Sequence, residues 1–196
     1  MMRKANAMGI RARLRDVGVA IAILVLVTLV VARLGGEEGE TLSGIARAAD
    51  GDTLTLGGKR IRLLGMDAPE LAQTCMRDGA SWGCGASARA RLAELLHAGP
   101  VTCVGQATDK YARLLSRCET AAAGDIGARL VREGLAVAYG DYEDIELLAR
   151  AERAGLWGAQ FDMPQAWRRS NGRPEEEGHV VKSGFMGWIG ALVGLD

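Results

Sequence analysis

Asp50-Gly-Asp-Thr-Leu-Thr-Leu-Gly-Gly-Lys-Arg-Ile-Arg-Leu-Leu-Gly-Met-Asp-Ala-Pro-Glu70 is the stretch that decides the fold. Two short apolar alternations, Leu54-Thr55-Leu56 and Ile61-Arg62-Leu63, flank Gly57-Gly58. Period-two patterning around a Gly-Gly pair predicts a β-hairpin. Pairing the two strands brings Asp52, just before the first, close to Asp67, just after the second. Carboxylates brought together repel each other and favour a hard cation between them, Ca²⁺ or Mg²⁺. Arg62, in the strand beside this acidic end, is a candidate to hold a phosphate. On residue types alone, Asp-Gly-Asp also reads as a structural turn and Ala-Pro-Glu as the opening of a loop.

Later blocks extend the pattern. Asp109-Lys110-Tyr111-Ala112-Arg113 is followed by Gly134-Leu135-Ala136 and Gly155-Leu156-Trp157. With D-G-D-T, R-L-L and D-A-P-E in this order, the chain closely resembles the thermonuclease (staphylococcal-nuclease-like) family over Thr41 to Arg169. The resemblance implies an α+β domain, a five-stranded OB-type β-barrel with three helices. It implies Ca²⁺-dependent hydrolysis of DNA or RNA phosphodiesters with little sequence preference, leaving 3′-phosphates. The substrate would be single-stranded or unpaired nucleic acid.

Residue by residue, Asp52 and Asp67 are the expected metal ligands, with Ca²⁺ preferred over Mg²⁺ by the resemblance. The backbone carbonyl of Ala68, where the family often has threonine, is the third ligand. Asp50 and Thr53 are expected to stabilise the turn behind them. Glu70 is the candidate general base for an attacking water; the alternative is that it only orients that water. Arg62 and Arg113 are expected to grip the phosphate, because a planar guanidinium donates two parallel hydrogen bonds that a lysine cannot. By the same resemblance Lys110 and Tyr139 or Tyr142 contact substrate. Ala112 stands where the family usually has glycine, so a positive φ there would strain it.

The rest of the chain bounds these readings. Of 196 residues, 24 are basic and 24 acidic. Residues 1–34 hold six basic residues and one acid, whereas residues 41–170 hold sixteen of each. A neutral domain attracts a polyanion weakly at long range, so binding must rest on a local arginine cluster. Arg11, Arg13 and Arg15 precede an uncharged run from Val17 to Ala32, with Glu37, Glu38 and Glu40 beyond it. That order predicts a signal-anchor helix over residues 1–34 in the inner membrane, with the domain facing the periplasm or exterior. A signal peptide cleaved after Ala32, releasing a secreted protein, is the alternative.

Residues 35–40 read as a linker, 41–170 as the domain, and 171–196 as an acidic linker with an apolar, Gly-rich tail. In the tail Phe185, Trp188, Ile189 and Leu192 share one face at helical spacing. Four cysteines without a C-x-x-C pair, and two distant histidines, argue against zinc. Export favours two disulfides, Cys75–Cys84 and Cys103–Cys118, over free thiols. Helices are expected over 86–98, 125–133 and 142–154. A monomer without a protein partner is expected. Two readings compete with the nuclease: a non-catalytic binding module on the same barrel, and a structural envelope protein.

Overall fold

The computed structural model describes residues 3–34 and 39–172. The expected linker after Asn171 and the apolar tail lie largely outside the described residues. Helix α1 (Arg3–Leu34) and the domain beyond it are separate compact units, each described by itself. Helix α1 takes in the uncharged run. Its apolar side chains from Val17 to Val30 are exposed on every face, Leu24 at 67%. Among the described residues, no helix is long and apolar enough to cross a membrane.

The domain begins with β1 (Glu40–Gly44) and β2 (Ala46–Ala48). The decisive hairpin is β3 (Thr53–Leu56) and β4 (Lys59–Leu63), antiparallel with Thr53 opposite Arg62. Gly57 and Gly58 have φ of 58° and 82°, the doubly positive turn that matches strand twist and that glycine adopts without penalty. Strands β5 (Met66–Asp67), β6 (Cys75–Arg77) and β7 (Ala80–Trp82) follow. The last two pair as a small antiparallel hairpin. Helix α2 (Cys84–His97) comes next, then β8 (Val101–Thr108), β9 (Leu114–Thr120) and β10 (Gly124–Asp125).

Helix α3 (Ile126–Arg132) starts at Asp125, whose side chain accepts the Ala128 N–H as an N-cap. Then come β11 (Val137–Ala138), α4 (Glu143–Ala151), a 3₁₀ turn (Gly155–Gly158) and α5 (Pro164–Ser170). The main sheet runs β1-β8-β9-β4-β3-β2, with β10 added beside β9. It is a curled half-barrel, consistent with the α+β OB-like fold expected; it has seven strands instead of five, and the domain holds a fourth α-helix, α5. At seven residues α5 is too short for apolar periodicity to reveal.

The core lies between the curled sheet and α2 and α3. Leu54, Ile61 and Leu63 from the hairpin meet Leu92, Leu95 and Leu96 of α2 and Ile126, Leu130 and Val131 of α3, all buried. These are the inward residues the helical spacing predicts. A second cluster joins Cys75, Cys84, Val137 and Leu156, with Trp82, Trp157 and Phe161 against it. Both expected disulfides are formed. Cys103 and Cys118 are direct cross-strand partners in β8 and β9.

Candidate functional site

The hairpin ends and β5 bring the acids together. The Thr53 carbonyl accepts from the N–H groups of Ala49 and Asp50, closing the turn, and the Asp50 carboxylate accepts from Gly51 N–H at 2.8 Å. Asp52 is 6% exposed, and its Oδ1 accepts from the Thr53 hydroxyl at 3.0 Å. The Gly51 turn sits directly on the Asp67 turn: a Cβ at Gly51 would lie 2.8 Å from that of Ala68. The Ala68 N–H donates to Asp52 Oδ2 at 3.3 Å. Asp50 and Thr53 thus contribute hydrogen bonds that close the turn.

Arg62 lies between the two aspartates. It is 2% exposed and donates to Asp52 Oδ2 at 3.0 Å and to Asp67 Oδ1 at 2.9 Å. Arg113 enters from the loop between β8 and β9. Its Nε donates to Asp109 Oδ2 at 2.7 Å, and its Nη1 reaches the Thr53 hydroxyl at 3.4 Å. Burial alone would raise the Asp109 carboxyl, but hydrogen bonds from the Arg113 backbone and side chain and the Tyr111 N–H outweigh it. The net result holds Asp109 below its ordinary value. Asp52, Arg62, Asp67 and Arg113 are therefore one contiguous buried group.

Glu70 is half-buried at the edge of this group, and its position is built by packing. Gly85, at the start of α2, lies so close that a Cβ there would sit 1.7 Å from the Glu70 carbonyl oxygen. Buried Gln73 donates its N–H to that same oxygen at 2.7 Å, and its Oε1 accepts the Glu70 N–H at 3.3 Å. The residue that the sequence did not reveal is Arg168 of α5, 3% exposed. It donates to Asp67 at 2.8 and 3.0 Å and to Glu70 Oε1 at 3.2 Å. Apart from its place in Trp167-Arg168-Arg169, nothing in the sequence signals that role.

The remaining candidates lie further out. Lys110 is exposed, with its ammonium 5.6 Å from the Tyr111 ring centroid. Tyr139 is half-buried and donates its N–H to the Gly65 carbonyl. Tyr142 packs against the core, and its hydroxyl contacts Asp125 at 2.9 Å and Arg117 at 3.2 Å. Burial, and then the Asp125 carboxylate, push its phenol upward. Tyr142 has a structural task in this network, which leaves Tyr139 as the less committed ring.

Asp52, Asp67 and the Ala68 carbonyl supply only oxygen donors, the chemistry that suits Ca²⁺ or Mg²⁺. As arranged they do not form a cation cage. Both oxygens of Asp67 accept from guanidinium groups, and both of Asp52 accept hydrogen bonds. Among the described residues, no group of three or more His, Cys, Asp or Glu side chains is placed to hold a metal. Burial raises the Asp67 carboxyl; the Arg168 hydrogen bonds oppose this and the Asp52 charge adds to it.

Residues 60–159 match the family described as staphylococcal nuclease homologue. The chain belongs to the staphylococcal nuclease homologue family. That match takes in Arg62, Asp67, Ala68, Glu70 and Arg113, begins after Asp52 and ends before Arg168. Members of the family are generally nucleases, and Ca²⁺ dependence is general among them. The chain is also similar to the succinoglycan biosynthesis protein ExoI of Rhizobium meliloti (strain 1021). The two are 33% identical over 144 residues, 69% of this chain and 75% of that protein.

Proposed function

We propose that this domain hydrolyses phosphodiester bonds of single-stranded or unpaired DNA or RNA, without sequence preference. The observation that carries this reading is the convergence of Arg62 and Arg113 on the turn of Asp52 and Thr53, with Glu70 at its edge. Two guanidinium groups fixed in a buried site are preorganised charge for a five-coordinate phosphorus transition state. Glu70 accepts the proton of the attacking water, whose oxygen bonds to phosphorus. The bond from phosphorus to the 5′ oxygen breaks, and that oxygen takes a proton from solvent. A 3′-phosphate and a 5′-hydroxyl remain.

Ca²⁺ is the cation we assign to this activity, with Mg²⁺ second. Asp52, Asp67 and the Ala68 carbonyl would hold it once a guanidinium gives way, and it would supply further charge to the phosphate oxygens. Two disulfides support an oxidising compartment outside the cytoplasm. With it goes attachment through residues 1–34 to the inner membrane, or secretion after cleavage at Ala32. Lys110 and Tyr139 are the proposed contacts to flanking nucleotides, and the protein acts as a monomer.

One observation favours a second reading, a non-catalytic binding module. Both buried aspartates are neutralised by the protein's own arginines, as a purely structural polar core would be. Incubating the protein with single-stranded DNA and RNA under Ca²⁺, Mg²⁺ or chelator separates the two. Cleavage lost in Glu70→Gln supports the enzyme; binding without cleavage under any metal supports the module.

A further inference from the structure

Helix α5 carries a guanidinium into the carboxylate cluster from the far end of the domain. Arg168 seats its fork on Asp67, at 2.8 Å to Oδ2 and 3.0 Å to Oδ1, and reaches Glu70 Oε1 at 3.2 Å. A bidentate guanidinium–carboxylate pair is among the stronger polar contacts, and here the Arg168 and Asp67 side chains are 4% and 3% exposed. Asp67 is also the carboxylate to which a divalent cation is assigned above. Two cations within a few ångströms of each other in a buried site repel strongly. Arg62 shares Oδ1 of Asp67 with Arg168, whereas Oδ2 accepts from Arg168, so a metal ion that takes Oδ2 would have to displace Arg168.

The segment that delivers Arg168 is built into the loop that carries Glu70. Gln160 and Met76 exchange backbone hydrogen bonds at 2.8 and 2.9 Å. Phe161 sets its ring edge-on to Trp157 at 5.3 Å between centroids. The Asp162 carbonyl accepts from Gln73 Nε2 at 2.7 Å, and Gln73 is fully buried beneath Glu70. Pro164 then opens α5 in the first turn, where its missing N–H costs no hydrogen bond. An arginine merely drawn to nearby acids would need none of these anchors.

We propose that Arg168 is a positioning residue that acts as a tethered counter-cation. It holds Asp67 and Glu70 in register without metal and competes with a divalent cation for Asp67. This rests on the phosphodiesterase reading insofar as that reading assigns the cation. Arg168 would have to leave Asp67 Oδ2 for a cation to be held there, so cation affinity would be set in part by how firmly α5 is anchored.

The test measures Ca²⁺ affinity by calorimetry on the full-length protein in mild detergent, together with Tm with and without Ca²⁺. Arg168→Met removes the charge and keeps most of the length; Arg168→Lys keeps the charge and loses the fork. The Met variant should bind Ca²⁺ on the order of tenfold or more tighter than wild type, since Asp67 then keeps Arg62 but loses the guanidinium on its Oδ2. Its Tm should fall without Ca²⁺ and rise further on adding it than wild type does. The Lys variant should fall between the two. If the Met variant does not fold in either condition, the Lys variant decides.

Unchanged or weaker Ca²⁺ binding in a folded variant overturns the proposal, as does no binding in any form. Cleavage by wild type with unchanged affinities would sink this inference alone. Tighter binding in the variants without cleavage by any form would sink only the enzymatic reading.

Discussion

Arg168 and Asp67 are 101 residues apart in sequence and form a two-pronged ion pair in the buried site, at 2.8 and 3.0 Å. The pair extends a chain of alternating charge in which Asp52, Arg62, Asp67, Arg168 and Glu70 each touch the next. Such a chain disfavours wrong side-chain arrangements, because freeing Arg62 or Arg168 takes a charge partner from two acids at once. It gives the two short turns around Asp52 and Asp67 a fixed geometry that two-residue strands alone would not.

Gly85→Ala should displace Glu70. The added methyl would fall 1.7 Å from the Glu70 carbonyl oxygen, which is backbone and cannot rotate away. Destabilisation of about 1–3 kcal/mol is expected in urea unfolding. The specific cleavage rate should fall further than the folded fraction does. A variant as active per folded molecule as wild type would mean that Glu70 does not depend on this contact.

Ala112→Gly should stabilise the loop that carries Arg113. Ala112 has φ of 58°, a region where a side chain costs roughly 1–2 kcal/mol and glycine pays nothing. The greater freedom of glycine in the unfolded chain offsets part of this, leaving a net gain of about 1 kcal/mol. A higher Tm with cleavage retained is the expected outcome.

Acid should loosen the same loop. The Asp109 carboxyl is held below its ordinary 3.8 by the hydrogen bonds from Arg113 and Tyr111. A depressed carboxylate stabilises the fold above its unfolded value and loses that contribution as pH falls through the folded value. Stability should therefore drop below about pH 4. Asp109→Asn should show a smaller drop over that window, measured by chemical denaturation at each pH.

Tyr142→Phe should separate packing from substrate contact. Loss of the hydroxyl's bonds to Asp125 and Arg117 should cost on the order of 1 kcal/mol of stability. The KM for nucleic acid should not move, whereas Tyr139→Ala should raise it. A raised KM in Tyr142→Phe would return that residue to the substrate contacts.

Much of this was legible because its signals are local. The hairpin showed in alternation around Gly57-Gly58, and the α2 and α3 faces in Leu92, Leu95, Leu96 and Ile126, Leu130, Val131. The pairing of Cys103 with Cys118 follows the antiparallel register of β8 and β9. Arg62, Asp67, Glu70 and Arg113 stood in spaced blocks. Arg168 did not, since its role depends on Gln160, Phe161 and Gln73 docking α5, contacts between distant segments with no periodic pattern. The β6–β7 hairpin was hidden likewise: three-residue strands are too short to alternate visibly.

The most direct measurement is cleavage of single-stranded DNA and RNA by the full-length protein in Ca²⁺, Mg²⁺ or chelator at neutral and alkaline pH. Glu70→Gln and Arg62→Ala serve as controls whose folding is checked by circular dichroism. The account predicts Ca²⁺-dependent products ending in 3′-phosphate, lost in both variants. A folded wild-type protein that cleaves neither nucleic acid under any condition, or cleavage undiminished in Glu70→Gln, would contradict it.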